Sequence, residues 1–242
     1  MQAMIFSAGL GTRFKPWTDS HPKALAPVNG KSLLQRNIEY LQKQGISDVI
    51  VNVHHFAEQI EAAVDQYKGW GSHVLISDER KELLETGGGL LHARNLFEPG
   101  RSFLTCNVDI LTDLDIGLLQ KFHNEKKALI SFGVTRRKTS RYLLFDDHDR
   151  MCGWQNAATG EERISIPGRT LHRMAYSCVV IMEYEVFRLM EEKGFRGKFS
   201  LIDVYLALAA DHVIMGYDHT GDRLVDVGKP GSVAEAEALF PV

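Results

Sequence analysis

The sequence predicts an α/β fold, a three-layer sandwich with a mostly parallel central sheet, helices on both faces and a small antiparallel insertion. Three observations lead there. Short, mostly apolar runs such as Val49-Ile-Val-Asn-Val53 lack the strict alternation of a half-exposed strand, as strands covered on both faces do. Stretches with helical spacing separate these runs as far as Thr135. Beyond Thr135 the pattern changes to apolar runs joined by a turn cluster, the mark of a hairpin added to an alternating α/β chain.

The elements follow in order. Ala3-Met-Ile-Phe6 is the first strand. Ser32 caps a helix with Leu33, Leu34, Ile38 and Leu41 on one face, and Gly45 ends it. Val49 to Val53 is the second strand, and a helix from Phe56 to Tyr67 carries Ile60 and Val64. His73 to Ile76 is the third strand, followed by a short helix from Gly89 to Leu96. Ser102 to Cys106 is the fourth strand, Ile116 to Lys126 the next helix, and Leu129 to Phe132 a further strand. Tyr142–Phe145 and Met151–Trp154 flank Asp146-Asp-His-Asp-Arg150 as a hairpin. Residues 155–170 are polar, contain Gly160, Pro167 and Gly168, and are expected to form a loop or a mobile lid. Tyr176 to Met182 returns to the sheet. Helices at Val186–Glu192 and, capped by Ser200, at Leu201–Ala210 precede late strands at His212–Tyr217 and Arg223–Asp226. Pro230 and Ser232 introduce a last helix ending near Phe240.

Composition narrows the function classes. At 242 residues and 44% hydrophobic content the chain fills a substantial core, and one domain over 1–242 is expected. A formal net charge of -3 offers no basic surface for nucleic acid. No apolar run approaches the roughly 20 residues that span a bilayer, so no membrane partner is expected. No signal peptide is visible, and Cys106, Cys152 and Cys178 form neither a CxxC nor a spaced metal set. They fit reduced positions in a cytoplasmic protein.

The richest segment follows the first strand. Ser7-Ala8-Gly9-Leu-Gly11-Thr12-Arg13 leads through Pro16 and Pro22 to Lys23 and Pro27. Glycine geometry frees backbone N–H groups to cradle anionic oxygens, and Arg13 and Lys23 add formal charge. At the carboxyl end of an N-terminal strand this reads as a triphosphate site. It is not a dinucleotide fingerprint, because Pro16 falls where that motif needs a helix. Nor is it a P-loop, since Gly30-Lys31-Ser32 matches only that motif's end. A tight turn without ligand is the bland alternative for the two glycines alone.

Two aspartates are candidate metal ligands. Asp109 lies just past the fourth strand in Asn107-Val-Asp109, on the sheet edge where open α/β sheets bind ligands. Asp226 ends a late strand before Val227-Gly228. A hard cation such as Mg²⁺ commonly takes one or two carboxylates plus substrate phosphates. Taken singly, each aspartate also fits a cap or turn, the reading that suits Asp113 and Asp115. A second cluster, Glu85-Thr-Gly87-Gly88-Gly89, is expected to leave bare backbone for a flat base.

With these residues in place, the chain resembles the sugar-1-phosphate nucleotidyltransferases. The resemblance rests on Gly9-Leu-Gly-Thr-Arg13, Pro16, Thr18, Pro22-Lys23, Pro27-Val28, Gly30-Lys31 and Leu33, with Asn107-Val-Asp109 and Asp226-Val-Gly228 similar to the two metal motifs. It implies a Rossmann-like fold in which 1–135 mainly binds nucleotide and 136–242 mainly binds sugar phosphate. It implies transfer of a nucleotidyl group to a sugar 1-phosphate, with release of pyrophosphate. In the roles it implies, Arg13, Lys23 and Asp109 are catalytic, and Asp109 and Asp226 hold Mg²⁺. Ala8, Gly9, Gly11, Thr12, Arg13, Lys23, Gly87, Gly88 and Asn107 bind the nucleotide, and Tyr176 and Asp203 bind the sugar phosphate. Leu84-Glu-Thr-Gly-Gly-Gly-Leu90 is most similar to short N-acetylmuramate-1-phosphate uridylyltransferases of cell-wall recycling, which implies UTP. Mannose- or heptose-1-phosphate guanylyltransferases with GTP, and a phosphocholine cytidylyltransferase with CTP, are the alternatives, as is a nucleotide-sensing subunit. A monomer or homodimer is expected. The chain departs from the pattern at Ala24 and Ser32, where prolines are usual, and at Val108, which replaces a glycine and is expected to narrow the space near the sugar.

Overall fold

Alternation along the first strand, β1 (Gln2–Phe6), divides the core into two layers. Ala3 and Ile5 face one side and Met4 the other, all three fully buried. The computed structural model describes residues 1–241. After β1 come a small ribbon, β2 (Pro27–Val28) and β3 (Lys31–Ser32), then α1 (Leu33–Lys43), β4 (Asp48–Val53), α2 (Ala57–Gln66) and β5 (His73–Asp78). The chain continues through α3 (Glu85–His92), β6 (Phe103–Asn107), β7 (Ile110–Thr112), α4 (Ile116–Lys126) and β8 (Ile130–Thr135). The second half holds β9 (Arg141–Phe145), β10 (Met151–Asn156), β11 (Glu161–Ile164), β12 (His172–Met182), α5 (Val186–Glu192), α6 (Leu201–Leu208), β13 (Ile214–Asp218), β14 (Leu224–Asp226) and α7 (Val233–Leu239).

The central sheet runs β5-β4-β1-β6-β12-β8-β13. All neighbours are parallel except β12, which is antiparallel to both β6 and β8. One core layer packs Leu33, Leu34, Ile38 and Leu41 of α1 with residues of α2, α4 and α7. The other packs α3, α5 and α6 around Phe103, Phe132 and Tyr205. The first residues of β12 pair with β9, which continues to β10 and β11 as an antiparallel extension. Among the described residues no helix is long and apolar enough to cross a membrane.

Two expectations need correction, and one expected strand finds a partner the sequence did not indicate. Residues 155–170 are not one loop: β10 extends to Asn156 and β11 forms a third strand of the insertion. The segment reads as polar because β11 is an exposed edge, where Glu161, Glu162 and Arg163 discourage pairing with other chains. The late strand at Arg223–Asp226 does not join the central sheet. It pairs with β7, a strand absent from the sequence reading, because the Asp113 carboxylate accepts from both the backbone N and Nε of Arg223 at 2.7 Å. The helix expected from Gly89 begins at Glu85, so the three glycines lie inside it.

Candidate active site

Strand register places the site. β1 and β6 are parallel neighbours with Phe6 opposite Asn107, and Val108 N donates to Phe6 O at 3.1 Å. Their carboxyl ends therefore open side by side, and the glycine loop after β1 meets Asp109 after β6. A cavity of about 450 Å³ lies there, lined by Ala8, Gly9, Gly11, Thr12, Arg13, Lys23, Asn107 and Asp109 among others.

The loop is held by local contacts. Gly11 has φ +61°, and a Cβ on it would come within 2.8 Å of Thr18 Cγ2 and 3.2 Å of Lys23 Cβ. Thr18 Oγ1 donates to Gly11 O at 2.9 Å, so glycine at 11 lets the loop close onto the turn that carries Lys23. Gly9 differs, since a Cβ there would meet nothing within 4 Å. Gly9→Ala is therefore expected to leave stability within about 0.5 kcal/mol of wild type. It should raise the KM for nucleoside triphosphate by about tenfold, by filling space that a phosphate would take. Thermal denaturation and initial-rate kinetics check the two halves; an unchanged KM would take Gly9 out of the cradle.

Lys23 and Asp109 line this cavity, and Asp226 lies beside it, next to the lining residue Gly228. Lys23 Nζ donates to Asp109 Oδ2 at 2.5 Å, with only 10% of the lysine side chain exposed. The β7–β14 ribbon brings in Asp226 from more than 100 positions away: Asp226 pairs with Ile110, and Val227 N donates to Asp109 O at 2.8 Å. Asp226 is exposed at the rim. The protein packed beneath it and the Asp109 charge hold its carboxyl above the usual aspartate range, while Lys23, Arg13 and Arg137 oppose that shift. Two like charges that disfavour each other, open on one side, suit a hard divalent cation that takes its remaining ligands from phosphates. Among the described residues no cluster of three or more His, Cys, Asp or Glu side chains forms a closed metal cage.

The cavity lining also includes residues that the sequence reading did not name. Asn52 Oδ1 accepts from Ser7 N at 2.7 Å, and Asn52 Nδ2 donates to Glu79 Oε1 at 2.7 Å. Glu79 is almost wholly buried, its other oxygen accepts from Leu84 N at 3.3 Å, and burial raises its carboxyl above the usual range. Leu83, Glu85, Thr86 and Ser200 complete this wall. The signal for Asn52 was present in the sequence: a lone amide inside the apolar run Val49–Val53 needs a buried partner.

The glycine triplet has a different job from the one expected. The N–H groups of Gly87 and Gly88 both donate to Phe199 O, at 2.9 and 3.2 Å, so neither is open to a base. A Cβ on Gly87 would meet the Phe199 ring at 2.4 Å, on Gly88 the Gly197 carbonyl at 2.2 Å and on Gly89 Glu79 Oε1 at 2.5 Å. The triplet lets α3 pack against the 197–199 segment and Glu79. Gly88→Ala must move backbone and is expected to cost about 1–3 kcal/mol. That loss should lower the melting temperature by several degrees; a melting curve matching wild type would refute close packing as the reason for glycine.

Tyr176 and Asp203 are not brought to the carboxylates. The Tyr176 ring packs edge-on against Phe132 and Tyr205, with its hydroxyl 3.3 Å from that of Tyr205. Asp203, on α6, accepts from Arg163 Nη1 at 2.7 Å beside the outer hairpin. Val108 is 5% exposed and packs into the core layer that holds α1, and it also lines the cavity between Asn107 and Asp109.

A relative of the same length decides the family. The N-acetylmuramate alpha-1-phosphate uridylyltransferase of Caulobacter vibrioides is 30% identical over 245 residues, covering 97% of each chain. The chain belongs to the sugar-1-phosphate nucleotidyltransferase family. The model of the nucleotidyl transferase family matches residues 2–143. The enzyme of that same uridylyltransferase name from Neisseria meningitidis is 38% identical over 115 residues, 48% of this chain and 49% of that one. The crystal structure of HddC from Yersinia pseudotuberculosis, complexed with GMP-PN, superposes with a TM-score of 0.77 at 22% identity over 98% of both chains. At that identity the likeness shows the fold, a Rossmann-like sandwich. The chain is thus a nucleotidyltransferase enzyme, built on the mostly parallel sheet that the sequence predicts.

Proposed function

We propose that this enzyme transfers a uridylyl group from UTP to N-acetylmuramate 1-phosphate, releasing pyrophosphate. Identity spanning nearly all of both chains to a uridylyltransferase of that name supports the substrate pair. The observation that carries the chemistry is the junction of Lys23, Asp109 and Asp226 at the mouth of the glycine-loop cavity. In this reading residues 1–135 mainly hold the nucleotide and 136–242 mainly the sugar phosphate.

A phosphate oxygen of the acceptor forms a bond to the α-phosphorus as the bond to the β-phosphate oxygen breaks. The acceptor oxygen is already anionic at neutral pH, so the site needs no general base. Its work is positioning and the neutralisation of charge. The loop from Gly9 to Arg13 binds the β- and γ-phosphates, Arg13 supplying a planar pair of donors. Lys23 sits where charge accumulates on the α-phosphate. Asp109 and Asp226 would hold a divalent cation, Mg²⁺ in this proposal, whose chemistry is to neutralise and orient phosphate oxygens. The base is placed against the wall of Asn52, Glu79, Leu83 and Thr86.

A pyrophosphate-release screen tests the substrate pair, with four nucleoside triphosphates against a panel of sugar 1-phosphates and phosphocholine. The expected preference is UTP with N-acetylmuramate 1-phosphate. A preference for GTP with mannose 1-phosphate would overturn the substrates and spare the mechanism. Activity with phosphocholine and CTP alone would overturn the sugar class.

A further inference from the structure

Asp226 lies within the field of three cations, and the reaction as proposed assigns only two. Arg13 and Lys23 come from the loop after β1; the third, Arg137, comes from the loop after β8. The order β1-β6-β12-β8 puts Arg137 and Arg13 on opposite sides of Asp109, which follows β6. Arg13 and Lys23 line the nucleotide cavity, whereas Arg137 does not. Its guanidinium is anchored: Nη2 donates to Tyr176 O at 2.9 Å. That carbonyl immediately precedes an irregularity in β12, where the register with β8 shifts between Tyr176 and Val180 and Cys178 adopts φ +58°. The shift is braced from behind by Ser177 Oγ, 2.7 Å from Nε2 of the buried His219. Bulges of this kind recur beside active sites, where they re-aim side chains. Arg137 Nε is buried and has no hydrogen-bond partner among the described residues. A guanidinium held at one edge, with an unspent donor and no carboxylate paired to it directly among the described residues, is prepared for an anion that offers two oxygens to its fork, as a phosphate does.

We infer that Arg137 binds the phosphate monoester of the acceptor, on the side of Asp109 and Asp226 opposite the triphosphate loop, and orients the oxygen that attacks. This inference rests on the proposed transfer to a sugar 1-phosphate and adds the residue that holds that substrate. It also gives the 136–242 half a direct part in the reaction, through a residue that neither composition nor resemblance singled out. The division of cations follows: Arg13 for the departing pyrophosphate, Lys23 for the α-phosphate, Arg137 for the incoming phosphate.

The test compares wild type with Arg137→Lys and Arg137→Ala in the pyrophosphate-release assay, using the phosphate acceptor that wild type turns over best. Arg137→Ala should raise the KM for that acceptor by about 10–100-fold, the effect of losing a charge-assisted contact. The KM for nucleoside triphosphate should stay within about twofold. Added guanidinium ion should recover part of the lost rate in Arg137→Ala, and Arg137→Lys should fall between the two, because an ammonium keeps the charge without the fork. Equal melting temperatures would show that the fold is intact. An unchanged acceptor KM, or an equal rise in both KM values, would overturn the inference while leaving the proposed reaction standing. A wild-type enzyme that uses no phosphate-bearing acceptor would overturn both, and that failure shows in wild type alone.

Discussion

Lys23→Ala is expected to lower kcat by a factor of roughly 10² or more, with a smaller change in the KM for nucleoside triphosphate. The physical ground is the position of the ammonium. It is almost fully withdrawn from solvent, 2.5 Å from Asp109 and 5.7 Å from the centre of the Phe14 ring, so it is fixed before substrate arrives. A pre-placed cation in such a site acts mainly on charge that develops in the transition state, and removing one such donor typically costs 10²–10³-fold. The fold should survive, because Asp109 keeps 22% side-chain exposure and can recover hydration when the lysine is gone. Lys23→Arg is expected to restore only part of the rate, since Lys23 Cβ lies close against Gly11 and leaves the longer guanidinium displaced. Steady-state kinetics and a melting curve check this. Turnover within a few-fold of wild type in Lys23→Ala would remove the residue from the transition state.

Much of the fold was legible because its signals are local. Buried parallel strands appear as apolar runs, and caps such as Ser32, whose Oγ accepts from Gln35 N at 3.1 Å, are written in single residues. The ends of α4 and α5 coincide with the sequence reading for the same reason. The glycine loop and its two cations were legible because their residue types have few structural alternatives at that spacing. What was not legible depends on pairing at a distance. β7 is only Ile110 to Thr112, too short to register as a strand until Arg223 and Asp113 lock β14 beside it. The glycine triplet was open to two readings, and only the approach of Phe199 and Gly197, over 100 positions later, decides between a bare surface and a tight contact. Glu79 is invisible for a similar reason. A glutamate in a charged stretch, Asp78-Glu-Arg-Lys-Glu82, reads as surface, and its burial follows from the amide of Asn52 on the neighbouring strand. Arg137 sits in another charged run, Arg136-Arg-Lys138, where nothing local separates it from its solvated neighbours.

Asp109→Asn and Asp226→Asn should each lower turnover by about 10²–10³-fold, the equivalent of losing several kcal/mol of charge stabilisation. Their equivalence is the informative part. The two residues come from distant parts of the chain, but the Val227 N to Asp109 O bond and the Asp226–Ile110 pair hold them as one unit, and the Asp109 charge adds to the upward shift of the Asp226 carboxyl. Groups that act as a unit do not lose activity additively, so the double variant should be little worse than either single one. Binding gives a second readout. Paramagnetic titration with Mn²⁺ in the presence of nucleoside triphosphate should show weakened metal uptake in both variants, with melting temperatures near wild type because neither carboxylate supports the core. The Asp109 variant has one further expected effect: its amide oxygen can still accept from Lys23 but no longer offsets the charge of that withdrawn ammonium, so it should lose somewhat more stability than the Asp226 variant. A variant that keeps wild-type turnover and Mn²⁺ affinity would exclude its aspartate as a ligand. If Asp226→Asn alone did so, the ribbon would be a structural support for Asp109, and the metal would rest on one carboxylate and the phosphates.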